Sequence, residues 1–453
     1  MRKAQARPAL VLALMLALTG PVLGPASAQT TTTAEMALAA GDVALARRLA
    51  QERLASAPGD AAALSVLAAA DLAQNRPASA RRHARAAHAT GTTAHDRFVA
   101  ARMAAAAAHG EGRTLVAQYW LRRALQTAPH PAAKAVTIQD YRNLRRVAPL
   151  NLAVDLAFRP SANVNGGAEN PMLSIDGVPT FFVFDGASRA LPGAEARLGF
   201  ALRYRVAGDA ARGTEIGATF SQTSVWLSDR AKAIAPEARG SDFASAVLDL
   251  HLTRHAELTE RTAVRGGVQL GQSWLGGAAY ARRARADLTV LHLLSPRTMG
   301  RFGLALERHW RLGGHPPATA VVLDGGLERR LHSGAVLGLR LTAGHTVSGD
   351  ANSENQTLAG EVRYSLGKPV AGMAVSASLG LAWRDYPVFF GGVFGDSGRE
   401  DRSVAGSLDL ALGRLQAFGF EPVISLEGRR TRSNVSRYDG TSLGIGLRIR
   451  SSF

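Results

Sequence analysis

His251, His255 and Glu257 share one face of a single alternating segment, a donor set that could in principle hold a metal ion or relay a proton. A strand puts every second residue on one face whatever its role, so the spacing alone does not single them out. Thiolate chemistry is excluded, because the 453-residue chain contains no cysteine. A serine nucleophile beside a histidine is a spatial pairing, and no local motif announces one. The sequence therefore nominates no catalytic residue, no metal ligand and no cofactor.

Arginine is the residue type whose pattern has a consequence. Arg197, Arg203 and Arg205 interleave with Leu198, Phe200, Leu202 and Tyr204, and Glu361 and Arg363 with Val362 and Tyr364. Near the end of the chain Arg448 and Arg450 interleave with Leu447 and Ile449, while Arg265, Arg340, Arg384, Glu427 and Arg429 extend the polar set. Guanidinium groups gathered on one face repel one another unless carboxylates such as Glu361 and Glu427, or an anionic guest, offset them. Arg203, Arg205, Glu361, Arg363, Arg448 and Arg450 are therefore the candidate lumen-facing residues. A wet channel and a plug held by salt bridges are both compatible with such a face.

The elements that must carry these residues are strands with one apolar and one polar face. The last stretch shows the pattern most cleanly: Leu443, Ile445, Leu447, Ile449 and Phe453 alternate with Gly444, Gly446, Arg448, Arg450 and Ser452. The same period of two recurs back to about residue 150, with no intervening core helices to cover the apolar faces. Lipid is then the natural partner, and in a bilayer such strands must close into a barrel because an open edge leaves its backbone groups unpaired. About fourteen strands can be counted between Asn151 and Phe453, an even number. The connections at 162–193, 229–242 and 387–401 are long, whereas those at 295–298 and 367–369 are short. Short turns belong on the periplasmic rim and long loops outside, so both barrel ends are expected on the periplasmic side. Leu443, Ile445, Leu447, Ile449 and Phe453 resemble the C-terminal signal by which outer-membrane barrels are recognised for assembly, so barrel-assembly machinery is an expected partner.

Ahead of the strands the chain changes character twice. Arg2, Lys3 and Arg7, an apolar run from Ala9 to Leu18, and Ala26-Ser27-Ala28 make residues 1–28 an expected signal peptide. Between 29 and 148 the period becomes helical and alanine dominates, with breaks at Pro58, Gly91 and Pro129 spaced by 33 and 38 residues. That is the spacing of helical-hairpin repeats of the tetratricopeptide kind, although an irregular helical bundle would share it. This part is basic, with 16 Lys or Arg against 8 Asp or Glu, and the whole chain carries a formal charge of +17. Export argues against nucleic acid as the partner and leaves lipid headgroups and acidic clients. The expected fold is thus an α + β membrane protein: a short periplasmic helical repeat domain at 29–148, then an antiparallel transmembrane β-barrel of about fourteen strands at 149–453.

Three stretches carry a family resemblance. Arg159-Pro160-Ser161-Ala162-Asn163-Val164-Asn165-Gly166-Gly167 resembles a Pro-Ser-Asn-x-Asn-x-Gly segment after the first barrel strand, with Pro160, Ser161, Asn163, Asn165 and Gly166 as the matching positions. Leu191 to Arg197 is similar to the start of the next strand, and Arg432 to Asp439 with Leu447 to Phe453 to the final hairpin and strand. Together with the domain order these resemble the surface lipoprotein assembly modifier (Slam) family. Ala162 splits the Ser-Asn pair and Gly440-Thr441 shortens the last hairpin relative to that pattern. The resemblance implies an outer-membrane translocation factor that helps a client lipoprotein reach the cell surface without covalent catalysis. The alternatives are a polysaccharide-export porin and a passive porin with a helical appendage.

Overall fold

The computed structural model describes residues 33–389 and 398–451. The expected signal peptide at 1–28 and the terminal Phe453 lie outside the described residues. The chain divides into two compact units, one of helices and one of strands, with the division at about Asn151.

The helical unit consists of α1 (Ala34–Ala39), α2 (Val43–Ser56), α3 (Ala61–Ala73), α4 (Pro77–Thr90), α5 (Ala94–Gly110), α6 (Thr114–Gln126) and α7 (Pro131–Val147). Local signals start most of them. Thr33, Asp42 and Asp60 accept hydrogen bonds from backbone amides of the first turn, and Thr93 with Asp96 forms a reciprocal capping box. Pro77 and Pro131 occupy first-turn positions, where their missing amide is not needed. The main core joins Ala69, Ala84, Ala101, Ala104, Ala108, Ala117 and Ala124 to Phe98, Met103, Trp120, Leu121, Tyr141 and Leu144. Alanine on facing helices lets their backbones approach closely, and the few large side chains supply most of the buried apolar area. None of the described helices is long and apolar enough to cross a membrane.

The strands are β1 (Leu150–Ser161), β2 (Met172–Ile175), β3 (Val178–Val183), β4 (Gly193–Gly208), β5 (Arg212–Leu227), β6 (Ser245–Thr259), β7 (Thr262–Leu275) and β8 (Ala278–Ser295). They continue as β9 (Thr298–Arg311), β10 (Ala318–Arg330), β11 (Val336–Ser348), β12 (Asn355–Ser365), β13 (Ala374–Tyr386), β14 (Arg399–Ala411), β15 (Phe420–Ser433) and β16 (Gly440–Ser451). All but β2 and β3 form one closed antiparallel barrel of fourteen strands, each next to its sequence neighbour, with β16 paired to β1. Across that closure Leu156, Ala157 and Phe158 stand opposite Ile449, Arg448 and Leu447. Closure leaves no edge, which is the condition for a sheet to stand in hydrocarbon.

Facing follows the alternation. Leu443 is 83% exposed and Ile445 60%, and Phe200, Leu202, Tyr204, Val362 and Tyr364 are likewise on the outside. An apolar band of this extent is disfavoured in water and suits lipid, while the intervening arginines and carboxylates line the interior.

Two features go beyond the sequence expectation. The alternation predicts a strand over Arg285 to Leu294, whereas β8 begins at Ala278, seven residues earlier, because the alanines and arginines there are poor strand formers on their own and are held by pairing with β7 and, from Ala281, with β9. The long connection after β1 contains the hairpin β2–β3, which pairs separately from the barrel. The next one contains a short helix, α8 (Asp229–Ile234). On the same rim β7 and β8 are joined through only Gly276 and Gly277, both at positive φ (58° and 81°), as a tight hairpin requires.

Candidate functional site

The site is the barrel wall from β12 through β16 and β1, together with the external connections that cover it. Asp409 on β14 is buried and central. Its carboxylate accepts from Arg448 Nη2 at 2.7 Å, from Arg363 Nη2 at 3.2 Å and from Ser425 Oγ at 2.6 Å. Arg448 also donates to Ser425 Oγ at 3.0 Å. Arg450 donates to Glu421 at 2.9 Å, and Arg205 lies 3.7 Å from Glu215. Each of these arginines reaches its acid along or across the ladder; Asp409 and Glu421 are buried in the wall, while the side chains of Arg363, Arg448 and Arg450 remain about half exposed toward the lumen, positioned by charge-assisted hydrogen bonds.

The candidate residues thus divide. Arg363 and Arg448 meet at one carboxylate; Arg450 and Arg205 have separate partners. Among the described residues Arg203, Glu361 and Arg429 make no ion pair. Of the carboxylates that could offset the inward arginines, Asp409, Glu421 and Glu215 pair with Arg363, Arg448, Arg450 and Arg205, and Glu427 only approaches Arg159, at 3.7 Å. Alternation fixes which face a side chain takes, but not which acid lies within reach of a long guanidinium two strands away. Asp409 carried no signal in the sequence beyond its inward parity.

Beneath the external rim this wall borders a half-open polar chamber of about 700 Å³, lined by Glu361, Ser378, Ser407, Glu427, Arg429 and the loop residues Asn163 and Glu169. Its cover is built by the segment that carries the family resemblance. Ser161 Oγ accepts from the Asn163 amide at 3.1 Å, and Asn163 exchanges hydrogen bonds with Gly167 at 2.8 and 2.9 Å. Asn165 accepts from the Leu191 amide at 2.9 Å and donates to the carbonyls of Ala187 and Arg189 at 2.7 and 2.8 Å. Pro160 is the next-to-last residue of the first strand, Gly166 turns at φ +62°, and a Cβ on Gly167 would lie 2.1 Å from the Arg189 carbonyl oxygen. These positions hold the loop.

The loop is tied to the last hairpin. Asp176 N donates to Asn434 O at 2.8 Å, Asn434 Nδ2 to Asp176 Oδ1 at 3.0 Å, and Ser174 N to Ser436 Oγ at 2.8 Å. Glu169 accepts from the Thr441 amide at 3.0 Å, and Arg437 donates to Gly166 O at 2.8 Å. Arg399, buried, lies between the rings of Tyr386 and Tyr438 at 3.6 and 3.7 Å. The external ends of the first and last barrel strands are therefore joined by a hydrogen-bonded cover over the closure.

His251 and His255 face inward as the alternation requires; His255 Nε2 lies 3.3 Å from the Asp209 carbonyl oxygen. Among the described residues no three His, Asp or Glu side chains gather as a metal ion would need.

A closed fourteen-stranded sheet with an apolar outer band and a charged interior defines an outer-membrane barrel protein, with its helical region in the periplasm. No protein-family model and no curated protein matches the sequence. Similar solved structures include the outer-membrane channel DcaP of Acinetobacter baumannii (10% identity, 67% of this chain and 97% of that one, TM-score 0.37). Others are OccAB3 of the same organism (8%, 66% and 98%, TM-score 0.34) and the loop-deleted OmpT of Vibrio cholerae (10%, 66% and 99%, TM-score 0.35). The barrel assignment rests on this chain's own closed sheet.

Proposed function

We propose that this protein is an outer-membrane translocation factor that helps a lipoprotein or other client protein reach the cell surface, by binding and passage rather than covalent chemistry. The observation that carries this reading is the covered chamber, where Glu361 and Arg429 present charges of both signs with no ion-pair partner among the described residues. Glu361 on β12 and Arg429 on β15 lie in one row across Gly380 and Ala405, so the two charges face the space between them. The proposed partners are outer-membrane lipids, the client, and the barrel-assembly machinery that reads Leu443, Ile445, Leu447, Ile449 and Phe453. The helical unit, as a tetratricopeptide-like repeat, is proposed to contact clients in the periplasm.

The testing variants are Glu361→Gln and Arg429→Gln, which keep bulk and polarity. Barrel levels should stay unchanged in outer-membrane fractions while surface display of a co-expressed lipoprotein of the same organism falls. Normal display at equal barrel levels rules the reading out. A passive porin is the second reading, favoured by the chamber's small polar lining. Its signature is steady anion-selective conductance of the purified barrel in planar bilayers, shifted by Arg429→Gln, with display unaffected.

A further inference from the structure

On its outward face β8 carries two small residues in succession, Ala284 and Ala286, between Arg282 and Leu288. Their cross-strand neighbours are bulky: Leu270 and Val268 on β7, Arg308 and Leu306 on β9. Small residues flanked on both sides by large ones leave a trough along β8. Toward the external rim it ends at the row Gln272, Arg282 and Trp310. The space there is about 710 Å³, lined by Arg282, Ala284 and Trp310 with Leu250, Leu270 and Leu312, and Arg308 and Ala286 continue from it along the ladder. Leu270 is 64% exposed, so the trough opens to whatever surrounds the barrel.

The two guanidinium groups at this end lack a counter-charge. Arg282 Nε lies 3.4 Å from Gln272 Oε1, and Arg308 sits over the Trp310 ring at 5.7 Å; among the described residues neither makes an ion pair. The inward arginines of the same strand differ: Arg283 pairs with Asp249 at 2.6 Å and Arg285 with Glu307 at 3.1 Å. The acids of these strands therefore serve the interior. An outward cation without a counter-ion is costly in hydrocarbon and tolerable at the headgroup level, which an interfacial tryptophan such as Trp310 marks.

We propose that this trough binds one phosphorylated glycolipid of the external leaflet, with a phosphate held by Arg282 and Arg308 and an acyl chain lying along Ala284 and Ala286. The planar guanidinium fork matches phosphate oxygens, and two forks flanking one end of an apolar trough match a molecule that is anionic at one end and hydrocarbon at the other. The surrounding band of exposed leucines makes hydrocarbon, rather than a water-borne protein, the medium on this face. This inference rests on the outer-membrane placement and is independent of what the lumen conducts.

The test uses the full chain purified in detergent, with bisphosphorylated lipid A, phosphatidylethanolamine and inorganic phosphate as probes in native mass spectrometry. Lipid A should remain bound in preference to phosphatidylethanolamine. The Arg282→Gln/Arg308→Gln variant should weaken lipid A binding about tenfold or more while heat-modifiable migration shows an intact barrel. Ala284→Phe fills the trough and leaves both arginines, so it should weaken lipid A binding too. Wild-type affinity in either variant, equal binding of phosphatidylethanolamine, or inorganic phosphate displacing lipid A stoichiometrically would overturn the proposal. Should the double arginine variant fail to assemble, Ala284→Phe decides alone.

Discussion

The helical unit and the barrel use similar residue types in opposite places. In the helices the buried positions are alanine, leucine and aromatic, and charge reaches the interior at only a few points: Asp71, 1% exposed, which Arg47 and His83 contact, and Arg102, 5% exposed, 2.8 Å from Asp140. In the barrel the ion pairs line the inside and the leucines stand outside. Both arrangements obey one rule, that apolar surface leaves water and charge keeps a partner; the solvent outside each unit decides which side is which. Burial also acts on the isolated helical pair, pushing the Arg102 guanidinium down and the Asp140 carboxyl up from their ordinary values. Asp71 goes the other way. Burial raises it, but hydrogen bonds from Arg47, Ser79 and His83 outweigh that and hold it below the usual carboxylate range.

The largest test of the contrast is Arg102→Ala, which leaves Asp140 without its partner in the helical core and should cost about 3 kcal/mol or more. Replacing both as Arg102→Met with Asp140→Leu should recover most of that loss in chemical denaturation of the full chain. On the barrel the corresponding insult is Leu304→Arg, at the centre of the outer band. It should cost about 2–4 kcal/mol in urea unfolding from lipid vesicles, whereas Leu304→Ile should be nearly silent. Inside the barrel, Asp409→Asn removes the charge shared by Arg363 and Arg448 and should cost about 1–3 kcal/mol.

The pH test separates the units. A carboxylate whose folded value is depressed stabilises above its unfolded value, and that stability is lost as pH falls through the folded one. The helical signal in circular dichroism should therefore weaken below about the ordinary carboxylate value of 3.8, and Asp71→Asn should flatten that acid branch. An unchanged acid branch would mean that Asp71 does not couple folding to pH. The smallest effect is expected from Arg429→Gln, within about 0.5 kcal/mol of wild type, since no pair is broken.

Much of this was legible beforehand. The strict alternation of Leu443 to Arg450, the fourteen apolar-polar segments and the prolines and acids at the helix ends are local signals. A period of two or of 3.6 fixes an element and its faces without knowledge of its neighbours. The outward set of Phe200, Leu202, Tyr204, Val362 and Tyr364 follows from parity alone. What the sequence left open are contacts between residues far apart along the chain. Asp409 as the common partner of Arg363 and Arg448 depends on the register from β12 to β16, the role of Asn163 and Asn165 on how the first connection folds back on itself, and the tie from Asp176 to Asn434 on barrel closure, which brings the first connection beside the last. The trough on β8 has the same origin. Ala284 and Ala286 are unremarked alanines in the sequence and become a groove only when the register sets Leu270, Val268, Arg308 and Leu306 on either side. Period is a property of one strand, whereas register and closure belong to the whole sheet, and only the tertiary structure sets them.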